Sequence, residues 1–152
     1  MSIQSGNTYK IYNGKSGTIL DLSGTDGRTI SGFSDNGGDN QKWQLEQGQG
    51  GHWTFRSAAS GQYLGVGGPF ENGTPLISVD EPVRWDIYPD DEDSGVFRLA
   101  FSFLHVVIYV PGAPTALNID LSDHGNPTPG TIVTLWGKWE GKNQTWRFEQ
   151  VY

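Results

Sequence analysis

The chain repeats itself around tryptophan. Asn40-Gln41-Lys42-Trp43 returns near the C-terminus as Asn143-Gln144-Thr145-Trp146, followed by the alternating Arg147-Phe148-Glu149. A weaker copy with its Gln lost, Val83-Arg84-Trp85, lies between them. An aromatic two residues after a Gln, entering a short apolar strand, reads as a core anchor. The indole fills the interior, and the amide side chain ties backbone groups at the preceding turn. Three anchors imply three copies of one unit.

The opposite end of each unit supports that reading independently. Tyr9-Lys10-Ile11, Trp53-Thr54-Phe55 and Phe97-Arg98-Leu99 begin 44 residues apart. Each leads into a small-residue turn and a second strand: Ser16 to Leu22, Ser60 to Val66, and Ala116 to Leu121. A third strand follows at Thr29 to Phe33, Pro75 to Val79 and Thr131 to Trp136, and the Trp-anchored strand closes the unit. Four strands taken three times make twelve, the plan of an all-β, pseudo-threefold β-trefoil. Its repeats are expected at about 8–50, 51–93 and 94–152 of a single domain spanning 1–152.

Bulk properties agree. A chain of 152 residues suits one domain that buries about two thirds of its unfolded surface. Glycine is abundant at 22 residues, and no window carries a helical apolar stripe, so turns joining short strands are the natural class. There is no cysteine, which removes disulfides, thiol chemistry and Cys-based zinc sites. The polar start, Met1 to Lys10, has no apolar signal core, and Val106 to Val110 is too short to span a bilayer. A cytoplasmic protein, or one released without a leader, is the expectation. A net charge of −7 argues against nucleic acid. The acidic cluster Asp90-Asp91-Glu92-Asp93 lacks the spaced ligands and central Gly of a calcium loop and reads as a solvated turn. No cofactor is implied.

Sorting the basic residues singles out one loop. Lys10, Arg56, Arg98 and Arg147 alternate with core residues on strands and are expected to point outward. Lys42 and Arg84 sit inside the anchors. Lys15, Arg28, Lys138 and Lys142 fall on loops, so Arg28 is the one arginine at a tip. It ends the compact stretch Ser23-Gly24-Thr25-Asp26-Gly27-Arg28, with Thr29 opening the next strand. Taken alone, such an arginine is a solvated charge. Two proline-containing loops, Pro111 to Thr115 and Asn126 to Gly130, are further candidate contact surfaces. Asn72-Gly73-Thr74 and Asn143-Gln144-Thr145 are formal glycosylation sequons, read here as silent.

The whole chain resembles the mushroom β-trefoil proteins, which include ricin-B-like lectins and the serine protease inhibitors of the cospin and cnispin type. The stretches Gly6 to Asn13, Ser16-Gly17-Thr18 and Leu20 to Ser23 carry the resemblance to the inhibitors; the Gln-x-Trp copies are shared more widely. Resemblance to the cospin-like inhibitors implies that the loop between strands two and three presents an arginine to a trypsin-like serine protease. Here that residue is Arg28, flanked by Gly24, Thr25, Asp26, Gly27 and Thr29. A guanidinium can pair with the carboxylate of an S1 pocket, and a pre-extended loop loses little entropy on docking. Inhibition of trypsin-like proteases is therefore the leading expectation.

Resemblance to the lectins implies a different partner, a glycan. Ricin-type sugar sites combine an acid, an aromatic platform and an Asn beside the Gln-x-Trp anchor. Asp120, Trp136 and Asn143 fit that order in the third unit, and Trp139 extends the platform. The alternative is that Asp120 caps a turn and Trp136 is core. The first unit offers Asp21, Phe33 and Asn40, while Gly65 replaces the acid in the second. No enzyme reading stands out. His52, His105 and His124 belong to no metal-ligand pair or nucleophile motif, and read as structural or surface residues.

Overall fold

A computed structural model describes residues 2–93, 95–101 and 117–152, with only the backbone of Phe101. His105, Val106 to Val110 and the Pro111 to Thr115 loop lie outside the described residues. The strands, in chain order, are β1 (Thr8–Asn13), β2 (Ile19–Leu22), β3 (Ile30–Phe33), β4 (Trp43–Gln47), β5 (Trp53–Ser57), β6 (Tyr63–Val66), β7 (Leu76–Val79), β8 (Trp85–Pro89), β9 (Phe97–Phe101), β10 (Leu117–Leu121), β11 (Thr131–Gly137) and β12 (Trp146–Val151).

Pairing closes six of them into a ring. β1 pairs with β4, β4 with β5, β5 with β8, β8 with β9, β9 with β12, and β12 returns to β1. The hairpins β2–β3, β6–β7 and β10–β11 close one end of this barrel. They meet through β11–β3 and through the single bridges Thr29–Ile77 and Pro75–Thr134. This is the β-trefoil. Closure leaves no free edge in the ring.

The three tryptophans hold it together in the same way. Trp43, Trp85 and Trp146 are fully buried. Each indole N–H donates at 3.1 Å to a carbonyl on the second strand of its own repeat, that of Leu20, Leu64 or Ile119. Burying so large a ring requires a partner for its one polar atom, and the strand supplies it. The Gln of each intact anchor behaves as its position suggests. Gln41 Nε2 donates to Ser34 O and its Oε1 accepts from the Asn36 N–H; Gln144 binds Gly137 O and the Trp139 N–H likewise. These shared bonds align the repeats residue by residue.

Alternation fails on β9. Lys10, Arg56 and Arg147 lie at the barrel surface, but Arg98 is buried, 4% exposed. The outer face of β9 is covered by the segment running from Trp139 to Gln144. Arg98 donates to Trp139 O and Gln144 Oε1 and pairs at 2.7 Å with Asp90, itself 6% exposed. Asp90 therefore does not belong to a solvated turn, although Asp91, Glu92 and Asp93 are exposed.

Candidate functional site

The threefold alignment places Asp21, Gly65 and Asp120 at one position, and Phe33, Val79 and Trp136 at another. Counting back from the anchors, Asn40, Pro82 and Asn143 are equivalent, as are Asn36 and Trp139. Only the third repeat carries an acid, an amide and two indoles.

Asp120, Trp136, Trp139 and Asn143 line one cleft of about 660 Å³, with His124, Thr134 and Gly73 among its other walls. Trp136 is not core: it is 45% exposed and Trp139 41%. Both rings therefore present open apolar surface beside buried polar atoms. Asp120 accepts from Gln144 Nε2 at 3.0 Å. Burial pushes its carboxyl above the ordinary 3.8, against the hydrogen bond from Gln144. Asn143 is 2% exposed, and its Nδ2 donates to Leu121 O at 3.1 Å. Its Oδ1 is buried with no hydrogen-bond partner among the described residues.

The wall between β10 and β11 has an unusual backbone. Asp123 and His124 both have φ of 52°, and Gly125 follows at 81°. Two successive non-glycine residues in the left-handed region are costly and cluster at binding sites. Here the turn delivers His124 edge-on to Trp139, with centroids 5.8 Å apart. Gly125 packs so closely that a Cβ there would meet Asn143 Cβ at 2.9 Å. Behind Trp139, a Cβ on Gly141 would fall 2.0 Å from the indole, so only glycine lets the ring lie flat there. The sequence carried no sign of His124's place, because the turn that puts it in the cleft has no motif.

The first repeat is a diminished copy. Asp21 is buried, its carboxyl also pushed up by burial, and it accepts from both Asn40 Nδ2 (3.2 Å) and Gln41 Nε2 (2.8 Å). Phe33 is 38% exposed and takes the place of Trp136. In the second repeat the site is filled in. A Cβ on Gly65 would meet Val79 Cγ2 at 2.4 Å, so the residue replacing the aromatic occupies the space an acid would need.

The Ser23 to Thr29 loop is organised otherwise than a substrate. Arg28 is exposed, but Asp26 folds the loop back by accepting the Arg28 and Thr29 N–H groups at 2.8 and 2.9 Å. Thr29, whose hydroxyl also bonds Asp26, leads the causes that hold that carboxyl down at about 2. Gly27 has φ of +63°, a left-handed turn just before the cation. The Arg28 carbonyl accepts the Ser78 N–H at 3.0 Å, and the Gly27 carbonyl accepts the Ser78 hydroxyl at 2.7 Å. A substrate-like loop must offer the carbonyl after its cation to an oxyanion hole. Here β7 already holds it.

Comparison with known proteins decides the family. Residues 2–79 match the model of the ricin-type beta-trefoil lectin domain-like family. The ricin B-like lectin of Macrolepiota procera, solved in complex with lactose, is 42% identical; the alignment covers 99% of this chain and all of that one, with a TM-score of 0.86. The Rhizoctonia solani agglutinin is 28% identical, with 99% of each chain covered and a TM-score of 0.82. ThreeFoil, a designed threefold symmetric protein, shares the fold at 24% identity and a TM-score of 0.80, with 95% of this chain and 99% of that one covered. No curated protein sequence matches. The chain belongs to the ricin-type β-trefoil lectin domain-like family. These relatives overturn the expectation of a trypsin-like protease inhibitor acting through Arg28, and the tethered loop gives the physical reason.

No helix among the described residues is long and apolar enough to cross a membrane. Among the same residues, no group of three or more His, Asp or Glu side chains could hold a metal ion.

Proposed function

We propose that this protein is a carbohydrate-binding lectin whose third-repeat cleft takes the terminal sugar of a neutral β-galactoside such as lactose. The observation that carries this reading is a cleft flanked by two exposed indoles with Asp120 and Asn143 in its wall. A sugar is an alternation of hydroxyls and apolar C–H faces. Asp120 and Asn143 supply acceptors for hydroxyls, and Trp136 supplies a flat apolar surface for the opposite side. Lactose on the Macrolepiota lectin supports the choice of ligand. The first repeat is secondary, because Asp21 is already engaged by two amides and Phe33 offers the smaller ring.

Calorimetric titration with lactose tests this. Trp136→Ala should weaken binding roughly thirtyfold, about 2 kcal/mol, while thermal stability moves by no more than about 0.5 kcal/mol because the ring is half exposed. Undiminished binding by that variant, or no binding of lactose or any galactose-terminated glycan by the parent protein, would refute the assignment.

The acid gives a second test. Ionised Asp120 accepts hydroxyl protons and protonated Asp120 accepts them less well. Its carboxyl lies above 3.8, so affinity should begin to fall on acidification before an ordinary aspartate titrates. Affinity measured against pH should lose this limb in Asp120→Asn. An unchanged acid limb in the variant would assign the effect to another group.

A further inference from the structure

Trp139 also lines a second, smaller cleft of about 260 Å³, formed with Asp90, Asp91, Glu92, Arg98, Lys138 and Glu140. The two depressions are therefore contiguous across one exposed indole. Its far side is fixed by Gly141 and its edge by His124, so the ring is a rigid sill between them.

Charge around this sill is uneven. In the second cleft Asp90 is paired with Arg98, Asp91 with Lys138 at 3.7 Å, and Glu92 with Lys142 at 3.1 Å. Lys142 also reaches Asp90 at 3.2 Å. Three carboxylates bordering the two clefts, Asp120, Asp123 and Glu140, have no ion-pair partner among the described residues. Among the described residues, His124 is the one titratable base lining the first cleft. The surroundings of the indole are thus net negative.

Resting on the proposed lectin function, we infer that the group following the terminal sugar lies across Trp139 into the second cleft, and that the site selects against a negative charge there. The ligand class is a glycan with an uncharged unit next to its terminal galactose; a carboxylate or sulfate at that position is repelled. Hydroxyls can bond the unpaired carboxylates, whereas an anion meets them as like charges with low-dielectric protein on one side.

A matched pair of ligands isolates charge from shape: 4-carbamoylphenyl β-galactoside and 4-carboxyphenyl β-galactoside. Both place a ring over Trp139 and differ by an amide against a carboxylate. With lactose as the control, the carboxylate should bind about tenfold more weakly at about 0.01 M ionic strength. That gap should close at about 1 M, where the Debye length shrinks from ~30 Å to ~3 Å. Glu140→Gln, an exposed substitution, should narrow the gap at low salt to about threefold. If lactose binds while the pair bind equally or not at all, or differ by a factor indifferent to salt, the inference fails and the lectin reading stands. If lactose itself does not bind, the lectin reading fails and takes the inference with it.

Discussion

Trp146→Ala is expected to remove about 5 kcal/mol of stability. The ring is fully buried, and its truncation combines two losses. Emptying the volume of a buried Trp costs ~3–5 kcal/mol. The Ile119 carbonyl, deprived of the indole N–H at 3.1 Å, adds a desolvated acceptor worth ~1–3 kcal/mol unless water reaches it. Against a total of ~5–15 kcal/mol for a domain, that is a large share. In a chain of this size the midpoint should drop by roughly 10–20 °C. Trp146 also opens β12, pairing with Asn13 of β1 and Phe97 of β9, so the damage falls where the ring of strands closes. Trp146→Phe separates the parts: it keeps most of the volume, orphans the carbonyl, and should cost about 1–3 kcal/mol. Urea unfolding of both variants checks the account. A loss below about 2 kcal/mol for the alanine variant would mean that the three anchors are not what holds the barrel.

The anchors were legible because their chemistry is local. Gln, Trp and the turn before them stand within ten residues, and the same bonds recur at Gln41 and Gln144. The 44-residue spacing then fixed the number of strands. Convergence of Asp120, Trp136 and Asn143 could be expected from their order on three adjacent segments. What escaped was set by contacts distant in sequence or by a backbone conformation without a motif. Nothing near Arg28 announces that Ser78, fifty residues away, takes its carbonyl. An arginine at a loop tip therefore looked free to enter a protease. Likewise the alternation of β9 predicted an outward Arg98, since period two describes a strand and not what the distant Trp139 to Gln144 segment lays over it. His124 escaped for a third reason. Its position follows from two left-handed residues, and neither Asp nor His signals that conformation as a glycine would.

The second large effect should come from Asp90→Ala, at about 3–5 kcal/mol. Removing the acid leaves the Arg98 guanidinium, 4% exposed, without its counter-charge. The remaining bonds to Trp139 O and Gln144 Oε1 engage the cation but do not neutralise it. Acid should reproduce the lesion in the parent protein. Burial pushes the Asp90 carboxyl up, but Arg98, Lys142 and the Glu92 N–H outweigh it and hold it at about 2, below the ordinary 3.8. A depressed carboxyl stabilises the fold fully above its unfolded value, and that contribution disappears as pH falls from about 4 towards 2. The difference in midpoint between parent and Asp90→Ala should therefore be widest near neutrality and narrow as pH falls from about 4 towards 2. A gap that does not narrow between about pH 4 and pH 2 would show that the variant's defect is packing and not charge. The apolar double replacement Asp90→Leu with Arg98→Met should recover most of the loss, because no buried charge is left uncompensated. Its lactose affinity then distinguishes stability from function. Arg98 tethers the Trp139 carbonyl and the Gln144 amide that orders the same segment, so a stable double variant that binds sugar weakly would show that the ion pair aims the second indole rather than merely holding the barrel together.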